Sequence, residues 1–221
     1  QLGEAQELLK KLPSLANVEL MDAEGKSQLS MTDVKLLMDA APNASFHYTF
    51  HLFGKSVSTA DTRVEYVGTQ IGDTGVEQVR QALDILPDCT YFLMDQCGVS
   101  NEVMNQLNRD YPNTQVVWRI HYGNGYSSLT DSTVVRCVGD LDNANSKNLK
   151  YMTEVVYLDA GHCYVLSDLS SVSYMPNLKV AIFSDCSVSD LTPFTSCKKL
   201  EYVEFVNCNF LKELTPMAEC E

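Results

Sequence analysis

The C-terminal part of this chain contains one unit written twice. Val180, Ile182, Val188, Leu191, Pro193, Phe194 and Cys197 return 23 positions later as Val203, Phe205, Leu211, Leu214, Pro216, Met217 and Cys220. Apolar positions return apolar, Leu-Thr-Pro returns as Leu-Thr-Pro, and the cysteine returns as cysteine. A fixed period of this length marks a repeat architecture. Each unit is too short to bury its own apolar face, so neighbours must stack into one continuous core. An earlier copy is visible upstream: Ser167-Asp168-Leu169 precedes Ser189-Asp190-Leu191 by 22 positions, and Met175 and Leu178 precede Cys197 and Leu200 by the same step. Short repeats are therefore expected over residues 149–221. The triplets at 156–158, 180–182 and 203–205 are expected side by side in one parallel sheet of a right-handed solenoid.

A longer repeat governs the N-terminal part. Pro42, Asn43, His51, Ser58, Asp61 and Val64 match Pro112, Asn113, His121, Ser128, Asp131 and Val134 at a constant offset of 70, and Phe46, Tyr48 and Phe50 fall on Val116, Trp118 and Ile120. Leu12-Pro13 matches Leu86-Pro87 at an offset of 74, which places an insertion of four near residues 24–27. The two copies cover residues 12–64 and 86–134. Helical spacing is read over residues 2–12, with Leu8, Leu9 and Leu12 on the apolar face; over 31–41, capped by Ser30 or Thr32; over 75–86, capped by Asp73 or Thr74; and over 100–111, with Val103, Met104 and Leu107 apolar. Val18-Glu19-Leu20, the alternation of Phe46, Tyr48 and Phe50, Val64-Glu65-Tyr66 and residues 91–94 read as strands. Gly54-Lys55 and Gly123-Asn124-Gly125 read as tight turns. Residues 139–150 are the most loop-like stretch and mark the passage from long, irregular repeats (1–138) to short ones (149–221) in one continuous solenoid.

At this point the chain resembles a known family. Leu200 followed by Val203, Phe205 and Cys208 fits the leucine-rich repeat pattern L-x-x-L-x-L-x-x-N/C. Asp-Leu-Thr-Pro-Phe at 190–194 resembles the short repeats of bacterial surface proteins of the internalin kind. The longer units, with Asp95-Gln96-Cys97-Gly98 and Val117-Trp118-Arg119, resemble uncharacterised leucine-rich repeat proteins of Gram-positive bacteria. The resemblance covers residues 149–220 well and 12–137 loosely. Two features depart from the pattern: the usual buried asparagine is replaced by Asp185 and Cys208, and no cap follows Cys220, so further repeats are expected beyond it. The chain opens on Gln1 rather than methionine, which reads as a processed or truncated product. The resemblance implies an α/β leucine-rich repeat solenoid. Its concave side is a parallel sheet. Its convex side carries helices in the N-terminal part and short turns or 3₁₀ segments in the C-terminal part.

Charge narrows the function. With 29 acidic and 16 basic residues the formal net charge is −13, which argues against a nucleic-acid partner and against docking on anionic lipid. No stretch approaches the ~20 apolar residues of a membrane span. His162-Cys163 beside Asp159 has the residue types of a nucleophile and base, but adjacent side chains point different ways. His47, His51 and His121 are too few and too spread for zinc. Asp140 to Asn145 lacks the glycine and terminal acid of a calcium loop. Gly72 and Gly75 lack the third glycine of a phosphate loop. No cofactor or metal is expected. Eight cysteines invite a disulfide framework, yet Cys197 and Cys220 share a repeat position with Met175 and read as core fillers.

The reading is a non-catalytic binding scaffold, extracellular or at the cell surface, presenting a concave ladder to a protein or glycan. The alternatives are an enzyme with a loop-built, hydrolase-like site and an intracellular scaffold. The expected ladder comprises Arg119, His121, Tyr157, Asp159, Lys179, Ala181, Phe183, Tyr202, Glu204 and Val206, because tyrosine and arginine among charges favour an interface.

Overall fold

The computed structural model describes residues 2–21 and 29–220. The insertion expected at residues 24–27 lies outside them. The chain divides into two compact units, Gln1–Val116 and Val117–Glu221.

In the first unit, α1 (Leu2–Leu9), β1 (Asn17–Glu19), α2 (Met31–Ala40) and β2 (Ser45–His47) form one small layer. β1 and β2 pair in parallel. Ser30 caps α2 through a reciprocal capping box with Asp33, which satisfies two otherwise orphaned donors. The apolar face expected on α1 is shifted: Leu2, Ala5 and Leu9 pack on Leu37, Ala41 and Phe46, while Leu8 and Leu12 are exposed. Spacing alone allowed either stripe; only one faces α2.

β3 (Thr49–Leu52) and β4 (Lys55–Ser58) form an antiparallel hairpin. Its two-residue turn, Phe53-Gly54, has positive φ at both positions, the geometry that matches strand twist and calls for glycine. β5 (Arg63–Val67), α3 (Gly72–Leu83) and β6 (Tyr91–Asp95) make a strand–helix–strand unit with β5 parallel to β6, Arg63 opposite Tyr91. α4 (Asn101–Asp110) follows. Its first turn is capped from outside: Asp73 accepts from the backbone N–H of Ser100 at 2.7 Å and from its hydroxyl at 3.0 Å. Arg80 on α3 reaches Asp110 on α4 at 2.6 Å. Val64, Tyr66, Val76, Val79, Phe92, Met94, Met104 and Leu107 are buried around these elements.

β7 (Gln115–Tyr122) runs across the division, and its later residues pair antiparallel with β8 (Tyr126–Leu129). The two hairpins share a detail at their matched positions. Thr59 clamps Tyr48 by backbone and hydroxyl bonds, and Thr130 clamps Trp118 in the same way.

The rest of the second unit is a four-stranded parallel sheet: β9 (Val134–Arg136), β10 (Tyr157–Asp159), β11 (Val180–Ile182) and β12 (Tyr202–Glu204), side by side in chain order. Each strand is followed by a loop and a 3₁₀ turn, at Asn145–Tyr151, Ser170–Tyr174, Thr192–Ser196 and Thr215–Glu219, and consecutive turns pack together. The three triplets of the short repeats thus lie in one sheet, β10 starting one residue later and β12 one residue earlier than expected. A 12-residue helix in the crossover gives the 28-residue step from Arg63 to Tyr91; short 3₁₀ turns give steps of 22 and 23.

Val135, Leu158, Ala181 and Val203 stand opposite one another and point inward, the first three fully buried. Behind them Met152, Met175 and Cys197 are buried and Cys220 half-buried. Where a residue must turn left-handed after each strand, Gly139, His162, Asp185 and Asn207 occupy equivalent places with φ near +60° to +80°. Each of the first three donates its N–H to the next repeat, at 2.9, 2.7 and 2.7 Å.

One position later the thiols form a column. Cys163 donates to Cys137 O at 3.3 Å, Cys186 to Ala160 O at 3.3 Å and Cys208 to Phe183 O at 3.0 Å. In the first unit Cys97 does the same toward Tyr66 O at 3.6 Å. This corrects the sequence assignment of Asp185 to the buried-asparagine position: Cys186 holds it, and Asp185 is the left-handed residue before it. All eight cysteines are free thiols, seven of them buried. Burial raises the pKa of Cys97 and Cys208; a protonated thiol is the form that can donate.

Replacing Cys186 by alanine leaves the Ala160 carbonyl without its donor inside the core. The expected loss is about 1–3 kcal/mol in urea unfolding. Cys220→Ala, at a half-buried position, is expected to cost less. Equal losses would show that burial does not set the cost of removing a thiol here.

Candidate functional site

The outward face of the β9–β12 sheet follows from strand register. Side chains alternate, so the partners of the buried row lie on the other side. One outward row is Val134, Tyr157, Val180, Tyr202; the next is Arg136, Asp159, Ile182, Glu204. Val134 and Tyr202 are about half exposed, and Val138 and Val206 extend the apolar surface beyond the strand ends.

Charges sit around this apolar centre and hold their neighbours. The Arg136 guanidinium lies 5.1 Å from the Tyr157 ring centroid and donates to its hydroxyl at 3.3 Å. Asp159 accepts from Gly161 N–H at 3.2 Å. Glu204 accepts from the Tyr202 hydroxyl at 2.9 Å and the Ser184 hydroxyl at 2.5 Å. Lys179 pairs with Glu201 at 2.5 Å where the strands begin. These bonds fix the rotamers of Tyr157 and Tyr202 before any ligand arrives, which lowers the entropic cost of binding.

The residues expected on the ladder divide by location. Tyr157, Asp159, Tyr202 and Glu204 lie on this face, and Lys179 lies at its entry. Arg119 and His121 are on the β7–β8 hairpin, where Arg119 donates to Ser127 at 3.3 Å and His121 is exposed. Phe183 and Ala181 are corrections. Phe183 is 1 % exposed, stacked on Phe205 and edge-on to Phe194, and Ala181 is fully buried. The strand pairs Val180 with Tyr202, a step of 22 where the sequence reading used 23. A one-residue slip exchanges the two faces of a strand. Val180, Ile182, Val134 and Arg136 are the outward residues that reading missed. The Val134-Val135-Arg136 triplet was the available signal for the last.

The chemistry candidates are otherwise engaged. His162 Nδ1 lies 2.7 Å from Asp185, and Asn207 donates to the same carboxylate at 2.9 Å. Cys163 faces the core instead. Asp140 binds the side chain of Asn124 at 2.7 Å, and Asp142 closes its own loop through Ala144 and Asn145 N–H at 2.7 and 2.8 Å. Among the described residues no three His, Cys, Asp or Glu side chains group as metal ligands, and no helix is long and apolar enough to cross a membrane.

No protein-family model matches the chain, and no curated protein matches it. Solved structures similar to the chain include two internalins. One is internalin C2 of Listeria monocytogenes, 14 % identical, with 93 % of this chain over 92 % of that one and a TM-score of 0.32. The other is an internalin, inlF, of the same species, also 14 % identical, with 99 % of this chain over 58 % of that one and a TM-score of 0.32. At these scores the overlays assign neither fold family nor function.

The Ser184 and Tyr202 hydrogen bonds hold the Glu204 carboxyl below the ordinary glutamate range. A lowered value stabilises the folded state above the unfolded pKa and is lost as pH falls through the folded one. Ser184→Ala is expected to move the Glu204 midpoint upward in a carboxyl NMR titration. An unmoved midpoint contradicts the bond.

Proposed function

We propose that this chain is a non-catalytic, protein-binding scaffold of leucine-rich repeat type, with its stacked strands and 3₁₀ turns forming a solenoid. The ligand lies on the outward face of β9–β12. The observation that carries the reading is the face itself: Tyr157, Val180, Ile182 and Tyr202 form an apolar centre between Arg136 and Glu204, on strands locked in register. An aromatic and aliphatic centre with a polar rim is the anatomy of a protein interface. A glycan is less well served, because the carboxylates and hydroxyls that would bind its edges are already paired with each other.

The sequence resemblance to internalin-like surface proteins supports an extracellular or cell-surface setting. A cytoplasmic setting is the second reading, favoured by eight free thiols, since an oxidising compartment selects for disulfides.

The test uses a captured protein partner. Hydrogen exchange of the complex is expected to show protection over residues 134–138, 157–161, 180–184 and 202–206. Tyr157→Ala and Tyr202→Ala are each expected to weaken binding about tenfold or more, a loss of about 1.4 kcal/mol. Tyr174→Ala, exposed on a 3₁₀ turn, is expected to leave it unchanged. Affinity untouched by both strand substitutions would reject the face.

A further inference from the structure

We infer that Asn124 is a site of spontaneous deamidation: its side-chain amide is lost as ammonia to the backbone nitrogen of Gly125, and the acid that replaces it releases the β7–β8 turn from the loop that follows β9. Asparagine is chemically labile, most of all where the next residue leaves its backbone nitrogen open to the side chain. Among the asparagines of the chain only Asn124 precedes glycine. Asn124 and Gly125 are both exposed, in the turn between Tyr122 and Tyr126. A Cβ on Gly125 would meet no atom within 4 Å, so the approach to its nitrogen is open. The matching turn of the first hairpin, Phe53-Gly54, holds no asparagine.

The step balances with water alone. The Gly125 nitrogen bonds to Asn124 Cγ, the Cγ–Nδ2 bond breaks, and the Gly125 amide proton leaves with ammonia. The product is a cyclic imide, which water opens at either carbonyl. Opening at Cγ leaves aspartate in the chain. Opening at the main-chain carbonyl leaves isoaspartate, with the chain rerouted through the side chain. Amide and water become carboxylic acid and ammonia, and nothing is oxidised or reduced.

The bonds of the amide give the reaction its consequence. Asn124 Nδ2 donates to Asp140 Oδ1 at 2.7 Å, and the Asn124 backbone N–H donates to Oδ2. This clamp ties the hairpin tip to the loop after β9, and the tie is close. A Cβ on Gly123 would stand 2.8 Å from Cys137 Sγ and 2.9 Å from Asp140 Oδ2, and Cys137 is fully buried. The clamp also gates the reaction, because the amide must leave Asp140 to meet the Gly125 nitrogen. After conversion, position 124 has no side-chain donor and sets a second carboxylate against Asp140. Two carboxylates that close resist ionising together. The turn lifts, and Cys137 loses its cover.

The test is storage of the whole chain at neutral pH, with peptide mapping by mass spectrometry over weeks. Asn124 is expected to convert at least about tenfold faster than any other asparagine, since none of the others precedes a residue without Cβ. Asp140→Ala, which opens the gate, is expected to convert faster still. Asn124→Asp supplies the product directly: alkylation of its Cys137 is expected to quicken about tenfold or more through the facing carboxylates, while Cys163, Cys186 and Cys197 stay as slow as in fresh protein. Asn124→Ser, which loses the amide without gaining a charge, is expected to keep Cys137 protected. Asn124 unchanged while other asparagines convert overturns the inference, and storage of the native chain reads this whether or not a variant folds. So does Asn124→Asp with Cys137 as slow as in fresh protein, or with all four thiols reacting together, which is global unfolding.

Discussion

No short repeat in the second unit can bury its own apolar residues. A segment of 22 or 23 residues supplies one inward strand position, a few side chains from its loop and one from its 3₁₀ turn. Those side chains leave water only when the neighbouring repeat supplies the same ones. Leu158 is buried because Val135 and Ala181 flank it. The thiol column obeys the same rule, since each acceptor carbonyl belongs to the preceding repeat. Stability in such an array is carried by the contacts between repeats more than by any repeat alone.

This constraint separates structure from recognition. Because one row of every strand is committed to the neighbours, the opposite row is free to vary, and variation gathers there: Val, Tyr, Val, Tyr and Arg, Asp, Ile, Glu. The left-handed column shows the same freedom. Glycine, histidine, aspartate and asparagine all fill it, and three of them do so with positive φ outside glycine. The histidine, aspartate and asparagine side chains then bond along the column, which offsets part of the backbone cost of that conformation.

The period was legible because apolar identity returns at fixed spacing: Val188, Leu191 and Phe194 could be matched to the following repeat without a structure. The phase of β11 was not. Val180 and Ile182 are larger than Ala181, so hydrophobicity alone makes them the core pair. The strand step is 22, and an extra residue before Leu211 restores 23 afterwards, hiding the slip inside a constant offset. Phe183 was thereby placed outward and Asp185 in the column of Cys186. The candidate site was half visible for the same reason: Tyr157, Asp159, Tyr202 and Glu204 lie on strands whose phase was right. Helix α1 shows a different limit, since choosing between two apolar stripes required knowing where α2 lies.

The most direct measurement of the stacked arrangement is alkylation of the native protein followed site by site by mass spectrometry. Stacking predicts that Cys220, half-buried in the last repeat, reacts first, while Cys137, Cys163, Cys186 and Cys197 react only at the rate of global unfolding. Reaction of those four at the rate of Cys220, under conditions where the fold is intact, would contradict the account.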